Sequence, residues 1–191
     1  IRMSMRPFQQ FPGGQTRTSF VETDNAIMVH WNSTDVIGIF PSQGTQVAFP
    51  IVDSQGASSG VFDGGGWALK KNYAYAAYYP FLYENFAATI RDIALDYRGQ
   101  AQAENGSSSH LGKFDFMATP LVLADHGILY LSFTHLGALL KIQLPSPAST
   151  LSKLVLYSDQ PDVEFPVRMK LDLSYSAPLT TLLESAGNLS L

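Results

Sequence analysis

Apolar and polar residues alternate in short runs along this chain, with a period of two. The longest run is 128–144. Leu129, Leu131 and Phe133 fall on one face, with Tyr130, Ser132 and Thr134 on the other. Past His135 the phase slips by one residue, so that Leu136, Ala138, Leu140, Ile142 and Leu144 share a face. Period two marks a strand with one buried side. A one-residue slip needs a bulge, and Gly137 sits where a bulge forms easily. Pro145 and Pro147 end the run. The pattern predicts a long, bulged, central strand.

Shorter runs of the same kind recur at 16–21, 26–31, 35–40, 46–49, 51–52, 61–62, 73–79, 89–97, 115–120, 121–123, 151–157, 163–166 and 168–175. The run at 35–40 is apolar after its opening Asp35 and stops at Pro41, as in a strand buried on both sides. In 73–79, Tyr73, Tyr75, Ala77 and Tyr79 share one face, pairing large with small. Residues 53–60 and 102–112, rich in Ser and Gly, read as loops. Many short strands separated by turn signals predict an all-β fold, a sandwich of antiparallel sheets.

Composition narrows the classes. A chain of 191 residues makes one large domain, or one and a fraction. Charged residues are 15% of it, against about 25% in ordinary globular domains, and Tyr and Phe number 9 and 12. This is the dress of a secreted β-protein. There is no cysteine, which excludes disulfides, thiolate metal sites and thiol nucleophiles. A net charge of −4 argues against a nucleic-acid partner. No run of about 18 apolar residues is present to cross a membrane as a helix. The chain opens at Ile1, which reads as a mature or trimmed product of a longer precursor.

The chemistry-bearing residues read mostly as structure. His135 has no partner at useful spacing and is expected as a core histidine bonded to backbone. Asp125-His126 reads as a turn rather than part of a triad. Asp35 reads as a turn cap. Asp63-Gly64-Gly65-Gly66 carries neither the lysine of a phosphate loop nor the acids of a calcium loop, so it reads as a flexible turn. Asp92 and Asp96 fall on one solvated strand face. Of the aromatics Tyr73, Tyr75, Tyr78, Tyr79, Phe81, Tyr83 and Phe86, alternation turns about half inward, so core packing is expected ahead of a sugar platform. Trp67 and Tyr78 are the residues such a platform would use. No catalytic residue, cofactor or metal ligand is expected.

The order of signatures supplies a resemblance. Trp31-x3-Asp35-x-Ile-Gly-Ile-Phe40 is followed by Tyr75-Ala-Ala-Tyr-Tyr-Pro80, then by Gln100 or Gln102. Asp115-x-Met117-Ala118, Phe133-x-His135 and Leu136-x-Ala138-x-Leu140 complete the series. Over residues 16–175 the chain resembles the fimbrillin-like proteins of Bacteroides and relatives, the major and accessory subunits of their surface fimbriae. The resemblance implies a transthyretin-like Greek-key sandwich of two antiparallel sheets. It implies a flexible lead-in at 1–15, and at 176–191 a linker or first strand of a second, mostly absent sandwich. It implies a non-catalytic structural or adhesive subunit, exported as an outer-membrane lipoprotein precursor to the cell surface. In such proteins an N-terminal strand is cut off after a basic residue, here Arg6 or Arg17. The open groove then takes a strand from another subunit. The partners implied are other fimbrial subunits and host glycans or proteins. The alternative is a cell-surface carbohydrate-binding module.

Overall fold

The computed structural model describes residues 18–22, 27–53, 58–86, 88–101, 107–143, 153–160 and 163–190. Fourteen strands run through them. The first seven are β1 (Ser19–Glu22), β2 (Ile27–His30), β3 (Val36–Pro41), β4 (Val47–Asp53), β5 (Val61–Phe62), β6 (Ala74–Tyr79) and β7 (Ile93–Asp96). The others are β8 (Met117–Ala118), β9 (Val122–Leu123), β10 (Thr134–His135), β11 (Val155–Tyr157), β12 (Phe165–Asp172), β13 (Leu179–Ala186) and β14 (Asn188–Ser190). Every pairing among them is antiparallel. The protein is all-β, as the alternation predicts.

The main sheet has seven strands in the order β10-β8-β6-β3-β4-β5, with β9 also on β6. A second sheet has the order β13-β12-β7, and two small ones pair β1 with β2 and β11 with β14. The central strand is β6. Tyr75, Ala77 and Tyr79 project to one side of it, Ala76 and Tyr78 to the other, and all five are fully buried. On the Tyr78 side, Phe40, Phe116 and Ala118 meet Ile93, Leu95, Met169, Leu171 and Leu173 of the second sheet and its flank. This contact makes the sandwich. On the Tyr79 side, Ile37, Ile39, Phe49 and Met117 lie beneath Trp31, Trp67, Leu129, Leu131 and Phe133.

The segment 128–144 therefore does not form the central strand. Among its described residues only Thr134–His135 joins a ladder, against β8. Leu129, Leu131 and Phe133 do share a face, but that face lies over the outside of the main sheet. The slip at His135 is real: Leu136 turns into the other apolar cluster, and its N–H donates to the Phe116 carbonyl at 2.8 Å. Beyond it, Ala138, Leu139, Leu140 and Ile142 are exposed, and Leu144 lies outside the described residues. Alternation reports a one-sided apolar face, which a segment lying on a sheet has as readily as a strand within one. A central strand needs both faces apolar, as β6 has.

Other boundaries move for local reasons. Pro50 does not split β4; it pairs with Val36, and its carbonyl accepts from Asp63 N–H at 3.0 Å. Residues 89–92 form a turn closed by Asp92 N–H on the Thr89 carbonyl at 3.1 Å, so Asp92 and Asp96 do not share a strand. Within 176–191, expected as a linker or the first strand of a second sandwich, Leu179–Ala186 and Asn188–Ser190 form β13 and β14, which pair back onto β12 and β11. Its leucines break the alternation because β13 sits at a sheet edge, where no single face must be apolar. The lead-in 1–15 lies outside the described residues.

Glycine 38 is what lets the two tyrosine layers form. It pairs directly with Tyr78, and a Cβ there would sit 2.3 Å from Tyr78 Cε1. The ring is buried on all sides and cannot step aside. Gly38→Ala is expected to cost about 1–3 kcal/mol of stability by overpacking, read from urea unfolding. An unchanged midpoint would mean that the ring has room to move.

Candidate functional site

The polar chemistry of the chain gathers at one end of β3 and β6. The Tyr79 hydroxyl donates to Asp35 Oδ1 at 2.8 Å and accepts from the Thr18 N–H at 2.8 Å. Asp35 Oδ2 accepts from the Asn32 N–H at 2.7 Å, and the Asp35 N–H closes the turn on the Asn32 carbonyl at 2.9 Å. The expected turn cap is thus present, but its carboxylate is also fully buried. Burial raises the Tyr79 pKa above the ordinary phenol, and the Asp35 charge beside it pushes the same way.

A second carboxylate extends this network. Thr18 Oγ1 donates to Asp115 Oδ2 at 3.2 Å, and His135 Nδ1 lies 2.6 Å from Asp115 Oδ1. An ionised carboxylate only accepts, so Nδ1 carries the proton. The expectation of a core histidine bonded to backbone is overturned. His135 is half-exposed, with a side chain 46% accessible, and its partner is a carboxylate 20 residues earlier. The antiparallel register of β10 on β8, which sets His135 opposite Met117, brings the two together. Linear spacing carries no sign of it. An oriented Asp–His pair is a familiar half of a catalytic triad. Here the neighbouring hydroxyl, Thr18, is bonded to Asp115 and not to the imidazole, so the arrangement braces three segments rather than relaying a proton from Thr18. Close by, Tyr97 is pushed up to about 12, first by burial and then by the Asp115 charge. Its hydroxyl is buried with no partner among the described residues.

The expected sugar contacts separate. Tyr78 is fully buried, and its hydroxyl donates to Gln46 Oε1 at 2.6 Å and accepts from the Leu82 N–H at 3.1 Å. Burial raises its pKa, and a ligand cannot reach it. Trp67 is half-buried and stands edge-on against Phe49 and Tyr75, with centroids 5.7 Å away in each case. The exposed aromatics of this region are instead Tyr83, at 67%, and Phe86, at 42%. They flank a 3-10 turn, in which residues three apart eclipse, and their rings stack at 5.8 Å. Asp63 accepts from the Gly65 N–H at 3.0 Å in a simple turn. Asp125 and His126 form a tight turn with His126 and Gly127 at positive φ. Arg6 and Arg17 lie outside the described residues. Among the described residues, no three His, Asp or Glu side chains are placed to hold a metal ion. Among the described residues, no helix is long and apolar enough to cross a membrane.

The other unusual surface is β13. It pairs with β12 from Leu179 to Ala186, with register shifts on either side of Arg168, yet none of its side chains is buried. Leu179, Leu182 and Leu183 are each at least half exposed, at 50%, 54% and 53%. On this sheet Asp96, at the end of β7, is held below the usual carboxylate range, first by the hydrogen bond from the Arg98 side chain.

No protein-family model, no curated protein and no solved structure matches the chain. What the fold defines is a class: an antiparallel β-sandwich with a two-faced central strand and an open edge.

Asp35→Ala strips the Tyr79 hydroxyl and the Asn32 N–H of a buried acceptor. Unfolding titrations should show a loss of about 2–3 kcal/mol, from unsatisfied buried donors. Asp96 behaves differently. A depressed carboxyl pKa adds stability above the unfolded value, near 3.9, and that stability is lost as pH falls through the folded one. Asp96→Asn should therefore lower stability at neutral pH, leave the acid end little changed and so flatten the acid limb of the stability–pH curve. An unaltered acid limb would remove Asp96 from it.

Proposed function

We propose that the chain is a non-catalytic structural or adhesive subunit of a bacterial surface fimbria, assembling by strand exchange between subunits. In this reading the sandwich is transthyretin-like, and the precursor is an exported lipoprotein that reaches the outer membrane and the cell surface. The resemblance to fimbrillin-like proteins motivates it. The observation that carries it is β13, a paired strand of eight residues with no buried side chain. Such a strand is held by its backbone ladder, and a strand of the same sequence from another subunit can form the same ladder. Donor and acceptor surfaces differ, so the contact propagates head to tail.

The two candidate trimming sites are not equivalent. Thr18 is buried, and its N–H and hydroxyl are both bonded. A protease cutting after Arg17 must first release Thr18 from Tyr79 and Asp115. Arg6 lies further from these contacts along the chain and is the favoured site.

A second reading, a carbohydrate-binding module, draws on the exposed Tyr83–Phe86 pair. Its measure is glycan binding by the intact chain and the loss of that binding in Tyr83→Ala.

Limited trypsin treatment followed by size analysis tests the first reading. Trimming near Arg6 is expected to turn monomers into ladders. A labelled peptide of residues 178–190 is expected to enter the chain in place of β13. A trimmed protein that stays monomeric and takes up no peptide sinks the strand-exchange reading.

A further inference from the structure

β13 carries one charged residue, Glu184. Register places it opposite Arg168 on β12, and Arg168 stands opposite Asp96 on β7. The three form a row across the sheet. Arg168 Nη1 lies 3.6 Å from Glu184 Oε2, and its Nε lies 3.9 Å from Asp96 Oδ2. Arg98, just past β7, spans the row: its Nη2 is 2.6 Å from Asp96 Oδ2 and its Nη1 3.7 Å from Glu184 Oε2. Each cation thus meets both anions, and the four charges close a ring over three strands. Their side chains are between 41% and 52% exposed, so salt reaches them.

Isolated surface ion pairs contribute little, but a ring shares the entropy cost of ordering its members. Elsewhere on the sheet a loss of that size would go unnoticed beneath buried leucines. On β13 there is no such burial. The neighbouring polar contacts are Lys170 with Asp92 along the sheet, which leaves β13 untouched, and Ser185 with Glu164 at its far end.

We propose that the ring of Asp96, Arg98, Arg168 and Glu184 is a salt-sensitive catch that holds β13 on β12 and sets how readily the strand is released. This rests on the reading of β13 as an exchangeable strand and names what regulates it. Screening shortens the reach of charge from about 10 Å at 0.1 M salt to about 3 Å at 1 M. Ionic strength then acts on β13 and not on the core. Low salt keeps the strand on its own subunit, and high salt or loss of a ring member frees it.

Hydrogen exchange on the monomeric 191-residue chain reads the catch directly. Between 0.1 M and 1 M NaCl, β13 amides are expected to exchange about two- to fivefold faster relative to β6 amides, the range that surface charge networks support. Glu184→Gln should give that faster exchange already at low salt and show no further response to salt. Arg98→Met combined with Glu184→Gln should do no more than either alone, because the members act as one unit. Equal β13 exchange at both salts in the wild-type chain overturns the proposal, and so do single effects that add in the double variant. The outcome is separable from the assembly experiment. A salt-responsive β13 in a protein that never forms ladders keeps the catch and removes strand exchange. Ladders from a protein whose β13 ignores salt do the reverse.

Discussion

Two tyrosines adjacent in the chain, Tyr78 and Tyr79, carry a hydroxyl into each of the two apolar layers of this protein. A strand sends successive side chains to opposite faces, so a central strand with this pair must bury one phenol on each side. A buried hydroxyl without a partner costs about 1–3 kcal/mol, and the fold is arranged to supply partners. Tyr78 draws in Gln46 and the backbone at Leu82, which fixes the turn after β6. Tyr79 draws in Asp35 and Thr18, which fixes the start of β3 and the approach to β1. Gly38 opposite Tyr78 gives one ring its space, and Trp31 edge-on at 5.1 Å covers the other.

This dependence explains which parts of the fold were legible in the sequence. The alternation of residues 73–79 announces large and small residues on each face, and β6 has them. The apolar run 36–40 announces burial on both sides, and β3 is buried throughout. The segment 128–144 misleads because its pattern is as regular as that of β6 but one-sided. Nothing in a one-sided pattern says whether the polar side faces water within a sheet or over one. The tail misleads for the opposite reason. Edge strands are free of the rule that makes strands visible, and Leu179-Thr-Thr-Leu-Leu reads as irregular although Leu179 to Leu182 pair in unbroken register with β12.

The polar site was less legible than the fold, for a physical reason. Asp115 and His135 meet through the register of two-residue strands, and register is set by tertiary pairing rather than by local sequence. The turns were legible because their chemistry is local: Asp63 bonds an amide two residues on, and His126-Gly127 takes positive φ. The aromatic content directed attention to a platform at Trp67 and Tyr78, whereas exposure selects Tyr83 and Phe86.

Stability is not spread evenly over such a molecule. The middle of the chain is held by rings and aliphatic side chains that water does not reach. The first strand and the edge strand β13 are held otherwise: β1 by the bonds of Thr18 and the Glu22–Lys141 ion pair, and β13 by its ladder and a ring of exposed charges. Contacts of this kind depend on identity and register, not on enclosure. A strand that leaves one copy and pairs in another re-forms the same bonds, so exchange between copies changes the contact energy little. Which state is populated is then decided by concentration, loop strain and screening. A strand anchored by buried leucines would have to expose them during transfer, and the barrier would rise with every Å² uncovered. The absence of buried side chains on β13 is therefore a statement about rate as well as stability.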